Sequence, residues 1–592
     1  MKILFYAPHS AIWVHAFPEA LVAESLAKSG HEVVYVTCGR LLDRYCVAMS
    51  AAGVAVLDAQ EKKQAVCATC TARRDLIRSK FGFAGYDLAE RVSAEDRATV
   101  RGLLGAIDRK RVMDLEVEGI PVGAYALYEF LLERKKGTLT FDAKEWSDYL
   151  LRLEAALLSL HAAKRILGEE KPDRLVVYNA LYSSNRVACE LAERMGVATY
   201  FLHAGLNFSS RLQTLLLGKR NPFHYYADMI AAWPHFRSMP CDPRMMSSIA
   251  EHILVLIRGT SPFGYSSAVR AGEPAIRERF GIRADQRVLV ASMSSNDERF
   301  AAESGGALAK SDGLLFPQQL DWIASVVDYV RRRPELFLIV RVHPRDFPNR
   351  RESTKSEHAN LLEGVLRNLP PNVAVNWPSD GISLFEVACE ADVFLNAWSA
   401  VGKEVGLLGI PVVLYAPTLV AYPPDLNYFA TTLEGYYAAI EQALADGWSA
   451  ERARMTFRWL AVEYGYGLVG IGDAFRRSEA PSRHLIRRIT RRLLRAIHAD
   501  HAEWLDCVRR PARLAAARDI AEILEERLAT PCALQSHRMP GRVPALDEET
   551  AGLRSQLQRI GKTIFSTAAH SSHSLLERNL GLYLQEKAGA HA

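Results

Sequence analysis

Short apolar, β-branched runs alternate with amphipathic stretches along most of this 592-residue chain. Lys2 to Ala7 reads as a strand, Pro8 to His15 as a loop, and Phe17 to Lys28 as a helix with apolar positions at helical spacing. Gly30 to Val36 returns as a strand, so the chain opens on a βαβ unit. A third short strand is expected at Gly53 to Leu57, followed by mostly helical pattern from about Arg73 to Arg165, and by strands at Asp173 to Tyr178 and Val197 to Leu202. A loop-rich linker with Pro262, Gly264, Gly272 and Pro274 then leads to a second series. Its strands are Arg287 to Ser292, Phe337 to Val342, Val373 to Asn376, Val393 to Asn396 and Pro411 to Tyr415, with helical segments between them. Beyond Thr431 the pattern is helical. The expected architecture is α/β: an N-terminal Rossmann-like domain at 1–255 with a helical insertion at about 73–165, a second Rossmann-like domain at 256–430, and a helical, basic extension at 431–592. Two such domains facing each other leave a cleft.

Length supports this division, because single cores usually serve about 100–200 residues. The 49% hydrophobic and 24% charged content is that of a folded chain and excludes disorder as the theme. Net charge is only +5, but the excess is concentrated late, at Arg476, Arg477, Arg483, Arg487, Arg488, Arg491, Arg492 and Arg495. Interleaved Leu485, Ile486, Ile489, Leu493, Leu494 and Ile497 make this segment an amphipathic basic helix, suited to anionic lipid or an acidic partner, or to a solvated face on its own domain. No nucleic-acid motif accompanies it, and no nucleic-acid partner is expected. No apolar run approaches the roughly 20 residues of a spanning helix, and the N-terminus enters a strand without a signal peptide's order. The expected location is the cytoplasm, with peripheral contact at the inner membrane through the basic helix.

Polar groups that follow buried parallel strands line ligand crevices. His343 stands between a strand and Pro344, with Arg341 and Arg345 adding positive charge, and its imidazole suits a donor phosphate. Asn396 and Ser399 follow the next strand and lead into a helix whose free N–H groups can hold phosphate oxygens, while Glu404 can accept bonds from sugar hydroxyls or pair with Lys403. Ser294 and Ser295 form a small hydroxyl turn that can approach a diphosphate or cap a helix. In the first domain His9, His15, Glu19 and His203 are candidates to take a proton from an acceptor hydroxyl across the cleft.

The His343-Pro344 pair with the Asn396 to Glu404 turn and helix resembles the donor half of capsule and lipopolysaccharide glycosyltransferases with the two-Rossmann glycosyltransferase-B fold, over about the middle third of the chain. The resemblance implies that the Asn396–Ser399 turn contacts the nucleotide phosphate and that Glu404 faces the nucleoside. Trp398 or Ala400 stands where many relatives carry a second serine, which weakens any inference of a CMP donor. His203-Ala204-Gly205 resembles, with imperfect spacing, a turn of nucleotide-sugar 2-epimerases, and polyol-phosphate transferases of teichoic-acid type share the His-Pro pair. The expected function is a glycosyltransferase that moves a sugar from a nucleotide-sugar donor to a glycan or lipid-linked acceptor of a surface polysaccharide. No Asp-x-Asp pair stands out, so no catalytic metal is expected. The alternatives are the two related enzymes and a non-enzymatic scaffold of an envelope assembly complex.

Four of the 9 cysteines lie close together: Cys38, Cys46, Cys67 and Cys70. Cys67-Ala68-Thr69-Cys70 has the bite of a thiolate pair, and four thiolates suit a structural zinc or an iron–sulfur cluster. The plain alternative is free thiols in a reducing compartment.

Overall fold

A computed structural model describes residues 1–265, 267–270, 274–349, 352–475, 514–537, 543–566 and 574–585. Its strands are β1 (Lys2–Tyr6), β2 (Glu32–Val36), β3 (Arg174–Tyr178), β4 (Ala198–Ala204), β5 (Thr214–Lys219), β6 (Arg287–Ser292), β7 (Leu336–Arg341), β8 (Val373–Asn376), β9 (Val393–Asn396), β10 (Val412–Leu414) and β11 (Val469–Gly470). They form two sheets, ordered β11-β5-β4-β3-β1-β2 and β10-β9-β6-β7-β8. The second sheet is wholly parallel and has the doubly wound Rossmann order. The first is parallel from β2 to β4, then closes with β5 and β11 antiparallel. Helices cover both faces of each sheet, which is why β1, β3, β6 and β9 are apolar nearly throughout and buried on both sides. The α/β reading with two Rossmann-like domains, a helical insertion and a largely helical C-terminal part is the architecture observed.

Val54 to Leu57 is not a strand. Asp58 Oδ2 takes the Ala55 N–H at 3.0 Å, and the buried Lys63 ammonium donates to the Arg44 carbonyl at 2.8 Å and to that of Val56. With these backbone groups occupied locally, the place beside β2 falls instead to residues 84–87, through parallel bridges Val34–Ala84 and Thr37–Asp87. Two strands absent from the sequence reading, β5 and β11, lie on the opposite edge. The chain after the second sheet returns to the first lobe: helix 517–525 packs on helix 13–28, and Arg174 donates to the Leu524 carbonyl at 2.7 Å and the Glu525 carbonyl at 3.2 Å. Those two contacts satisfy carbonyls at a helix end that would otherwise lack donors. The basic segment 476–497 lies outside the described residues.

The insertion also clasps the second lobe. Lys135 takes the left-handed position that ends helix 122–134, and its buried ammonium donates to the carbonyls of Arg345 at 2.6 Å and Thr354 at 2.7 Å. Arg345 answers with a 2.8 Å bond to the Leu132 carbonyl and a 2.9 Å ion pair to Asp297. Arg345 therefore works as a buried strut rather than as positive charge for a ligand.

Candidate functional site

At the carboxyl end of the second sheet, the parallel register lines up Asn396, Ser292, Arg341 and Asn376 on four neighbouring strands. Behind them the strands are almost entirely apolar, and at the opposite, amino edge the polar groups are engaged within the protein, Arg287 with Asp392 and Asn372 with the Val330 and Leu336 carbonyls. Strand order reverses between β6 and β9, where doubly wound sheets take their ligands, and Ser292 and Asn396 flank that point. Beside it, a cavity of about 670 Å³ is lined by Arg341, Asn376, Trp377, Tyr265 and Arg270 among others, within the range of small-molecule sites. Asn376, Trp377 and the Tyr265 loop were not singled out from sequence.

Arg341 is the hub of this edge. Its guanidinium binds the Asn376 side chain and donates to the Ile382 carbonyl at 3.2 Å, and burial holds its pKa down to about 10 against the pull of Glu386, Glu404 and Asp380. His343 turns aside from the cavity: its Nδ1 accepts the Arg345 N–H at 3.3 Å and its ring meets Tyr265 edge-on at 5.9 Å. Burial lowers its pKa to about 4, so at neutral pH the ring is uncharged, with Nε2 as the remaining donor. Glu404 is half-buried, and burial raises its pKa to about 7 against the opposing influence of Lys403 and Arg341. Lys403 does not pair with Glu404; it forms a buried ion pair with Glu463, which also accepts the Trp459 indole N–H at 3.1 Å. Neither His343 nor Glu404 lines the 670 Å³ cavity. The two do not share this cavity; Arg341, which lines it, is close enough to act electrostatically on each of them.

The turns read as phosphate cradles are largely self-satisfied. Ser294 exchanges two backbone bonds with the Gln319 amide, at 2.7 and 3.0 Å, and the Ser295 hydroxyl goes to Glu298. Asn396 Nδ2 donates to the Ser399 carbonyl at 2.9 Å and to Tyr422 at 3.1 Å, while Ser399 Oγ accepts from Val401 N–H at 3.3 Å. The helix that follows, Val401–Gly406, is only six residues long. Asn396 Oδ1 is buried without a partner among the described residues.

Across the cleft the first-lobe candidates separate into two groups. His9 is enclosed, with Nε2 3.2 Å from Ser184 Oγ and its ring edge-on to Tyr182, and burial lowers its pKa to about 3. Glu19 is 3% exposed, and burial pushes its carboxyl well above the usual range. It is buried in the core of its lobe, which corrects the reading of Glu19 as a base that meets an acceptor. His15 and His203 are the half-buried pair: His15 stacks on Tyr178 at 4.2 Å, and His203 lies 6.1 Å from the same ring. Both rings are driven down by burial, to about 3 and about 4, and both feel Arg211. His203 Nδ1 sits 3.1 Å from the Ala204 carbonyl, which assigns the proton to Nδ1 and leaves Nε2 as acceptor.

Arg211 was missed in the sequence, where it stands in no motif. Its charge reaches His15, His203 and Tyr178 in the first lobe, and also His252, whose ring in turn feels Lys403 of the second lobe.

No family model matches this chain, and no curated protein does. Among solved structures, the chain is similar to the calicheamicin glycosyltransferase CalG4 (16% identity, 78% of this chain and 94% of that one, TM-score 0.25). It is also similar to the UDP-GlcNAc 2-epimerase of Neisseria meningitidis (13% identity, 84% and 100%, TM-score 0.24) and to KpsC of Thermosulfurimonas dismutans, a β-Kdo 2,4 transferase (15%, 46% and 79%, TM-score 0.27). Likenesses this distant assign neither a donor nor a reaction. The four thiols of Cys38, Cys46, Cys67 and Cys70 line one separate small cavity. Among the described residues no three His, Cys, Asp or Glu side chains stand close enough to hold one metal ion, and burial pushes all four thiols towards the protonated form, so the expected metal centre does not fit here. No helix among the described residues is long and apolar enough to cross a membrane.

Proposed function

We propose that this chain is a glycosyltransferase of the two-lobed glycosyltransferase-B type, which moves a sugar from a nucleotide-sugar donor to a glycan or lipid-linked acceptor of a surface polysaccharide. The observation that supports the reading is the polar carboxyl edge of the second sheet, with Asn396, Ser292, Arg341 and Asn376 in register and Arg341 and Asn376 lining a cavity large enough for a nucleotide. Arg341 offsets the charge of the leaving phosphate, Trp377 offers an aromatic face to the base, and the half-buried Glu404 accepts hydroxyl protons of sugar or ribose. No metal is needed for leaving-group departure in this scheme, because the Arg341 guanidinium supplies the positive potential.

His203 is the general base in this reading, taking the acceptor hydroxyl proton on Nε2 while the sugar carbon loses its bond to the donor phosphate. With a pKa near 4 it is a weak base in the empty cleft. Anionic donor close to Arg211 cancels the repulsion that helps to hold it down, so donor binding raises the basicity of the ring when it is needed. Incubation with a panel of nucleotide sugars, with and without oligosaccharide or lipid-linked acceptors, tests the reading by mass spectrometry of the products. A glycosylated acceptor with release of the nucleotide is expected; an epimerised donor formed without acceptor, a polyol phosphate transferred, or no turnover of any donor would each contradict it.

A further inference from the structure

Residues 205–211, which follow β4, form a loop closed by the Gly205 N–H on the Arg211 carbonyl at 3.0 Å. Two residues of helix 243–257, one turn apart, hold it. Asn207 is fully buried and donates to the Ser248 carbonyl at 3.0 Å. The Phe208 N–H goes to Nδ1 of the buried His252 at 2.9 Å, with the two rings 4.9 Å apart. Burial, helped by the charges of Lys403 and Arg211, keeps the His252 ring neutral with a pKa of about 3. An accepting Nδ1 places the one ring proton on Nε2, which donates to the Tyr464 hydroxyl at 3.2 Å. Arg211 in turn lies over the Phe208 ring, 5.5 Å from its centre.

From Tyr464 the contacts pass to the second sheet. Tyr464 and Glu463 are neighbours in one π-turn, Val462–Tyr466, closed by the Gly467 N–H on the Val462 carbonyl at 2.7 Å; isolated π-turns inside helices recur at functional sites. A side chain at Gly465 or Gly467 would collide with Met245 and Met229, so this turn is pressed against helices 243–257 and 222–237. Glu463 holds Lys403, the neighbour of Glu404 on the helix that follows β9. One line of side-chain contacts thus runs from Lys403 through Glu463, Tyr464, His252 and Phe208 to Arg211.

We propose that His252 is a positioning residue, which fixes the 205–211 loop and with it the Arg211 guanidinium relative to His203, and that Tyr464 and Glu463 tie this setting to the helix after β9. The catalytic meaning rests on the reading of His203 as the general base; the geometry does not. His203 is faced by Tyr178, His15 and Arg211, and of these Arg211 carries a permanent charge. A nearby cation disfavours imidazolium, so loosening the loop lets the His203 pKa rise.

NMR titration of the histidine rings in the full chain reads this without any substrate, with His203→Asn to assign the signal. From a midpoint of about 4 in the unaltered chain, His252→Phe, which keeps a ring and removes both bonds, should raise the His203 midpoint by about 0.5–1 pH unit. Arg211→Gln should raise it at least as much, and the double variant should add little to Arg211→Gln alone, because His252 acts through Arg211. His252→Asn, whose Oδ1 can stand in for Nδ1 and keep the Phe208 bond, should leave the midpoint nearly unmoved. Should His252→Phe fail to fold, Tyr464→Phe takes its place, with a smaller rise expected. An unchanged midpoint in the folded variant, or a rise that adds in full to that of Arg211→Gln, overturns the inference. The midpoints answer whether or not the chain transfers sugar, whereas failure of the transferase reading shows as lack of turnover with every donor.

Discussion

The two lobes present very different sheet edges to the same cleft. The second lobe offers amide and guanidinium groups in register beside an open cavity, and its carboxylate at Glu404 is only half enclosed. The first offers imidazoles packed on the tyrosine rings of Tyr178 and Tyr182, with pKa values pressed down to about 3 or 4. An open row of polar groups suits recognition of a polyanion, whereas enclosed rings beside a cation suit proton transfer that is switched on by the arriving charge. In the proposed function, nucleotide recognition and proton transfer are divided between the lobes, and each side should be disabled without the other.

The largest expected effect is on the proton-transfer side. His203→Asn should lower kcat by about 100-fold or more while donor affinity changes little, since loss of a positioned base typically costs 10²–10⁴; steady-state kinetics at saturating donor check this. On the recognition side, Arg341→Ala should weaken donor binding by about 10–100-fold, from loss of charge-assisted bonds of about 1.5–3 kcal/mol each, with little change in the affinity for acceptor. A matched loss of acceptor affinity would erase the division.

Glu404→Gln should have an intermediate and pH-dependent effect. Its folded pKa of about 7 lies above the ordinary 4.5, so the folded chain holds this proton more tightly than the unfolded one. The resulting stabilisation is present below about pH 4.5 and is lost as pH rises through about 7. Gln at 404 should therefore raise Tm by about 2–4 °C at pH 8 and hardly at pH 5, while donor binding falls by about tenfold at pH 8. Thermal scans at the two pH values read the sign directly. The smallest effect is expected from His9→Asn, because His9 is engaged with Ser184 inside its own lobe. Donor and acceptor affinities should stay within about twofold, with a stability loss of about 1–2 kcal/mol.

Much of this fold is legible in the chain because buried parallel strands announce themselves as short apolar runs: β1, β3, β6, β7 and β9 stand within a residue or two of their expected places. The 53–57 stretch has the same look and fails, because Lys63 and Asp58 take its backbone groups and Gly53 turns the chain at φ 74°. β11 is two residues long and β5 pairs antiparallel, so neither carries a distinctive period. At the site, Arg341, Asn396 and Glu404 could be found from their places after strands. Arg211, Asn376, Trp377 and His252 could not, since what gathers them is tertiary contact between segments tens to hundreds of residues apart. Arg345 shows the opposite error: a charge in the right place, already committed to Asp297 and Leu132.

The most direct test of the central claim is calorimetric titration of the full chain with CMP, UDP, GDP and dTDP, repeated on Arg341→Ala. The account predicts one nucleotide bound at a single site, with its affinity reduced by about 10–100-fold in the variant. No binding of any of the four, or binding that Arg341→Ala leaves unchanged, would contradict it.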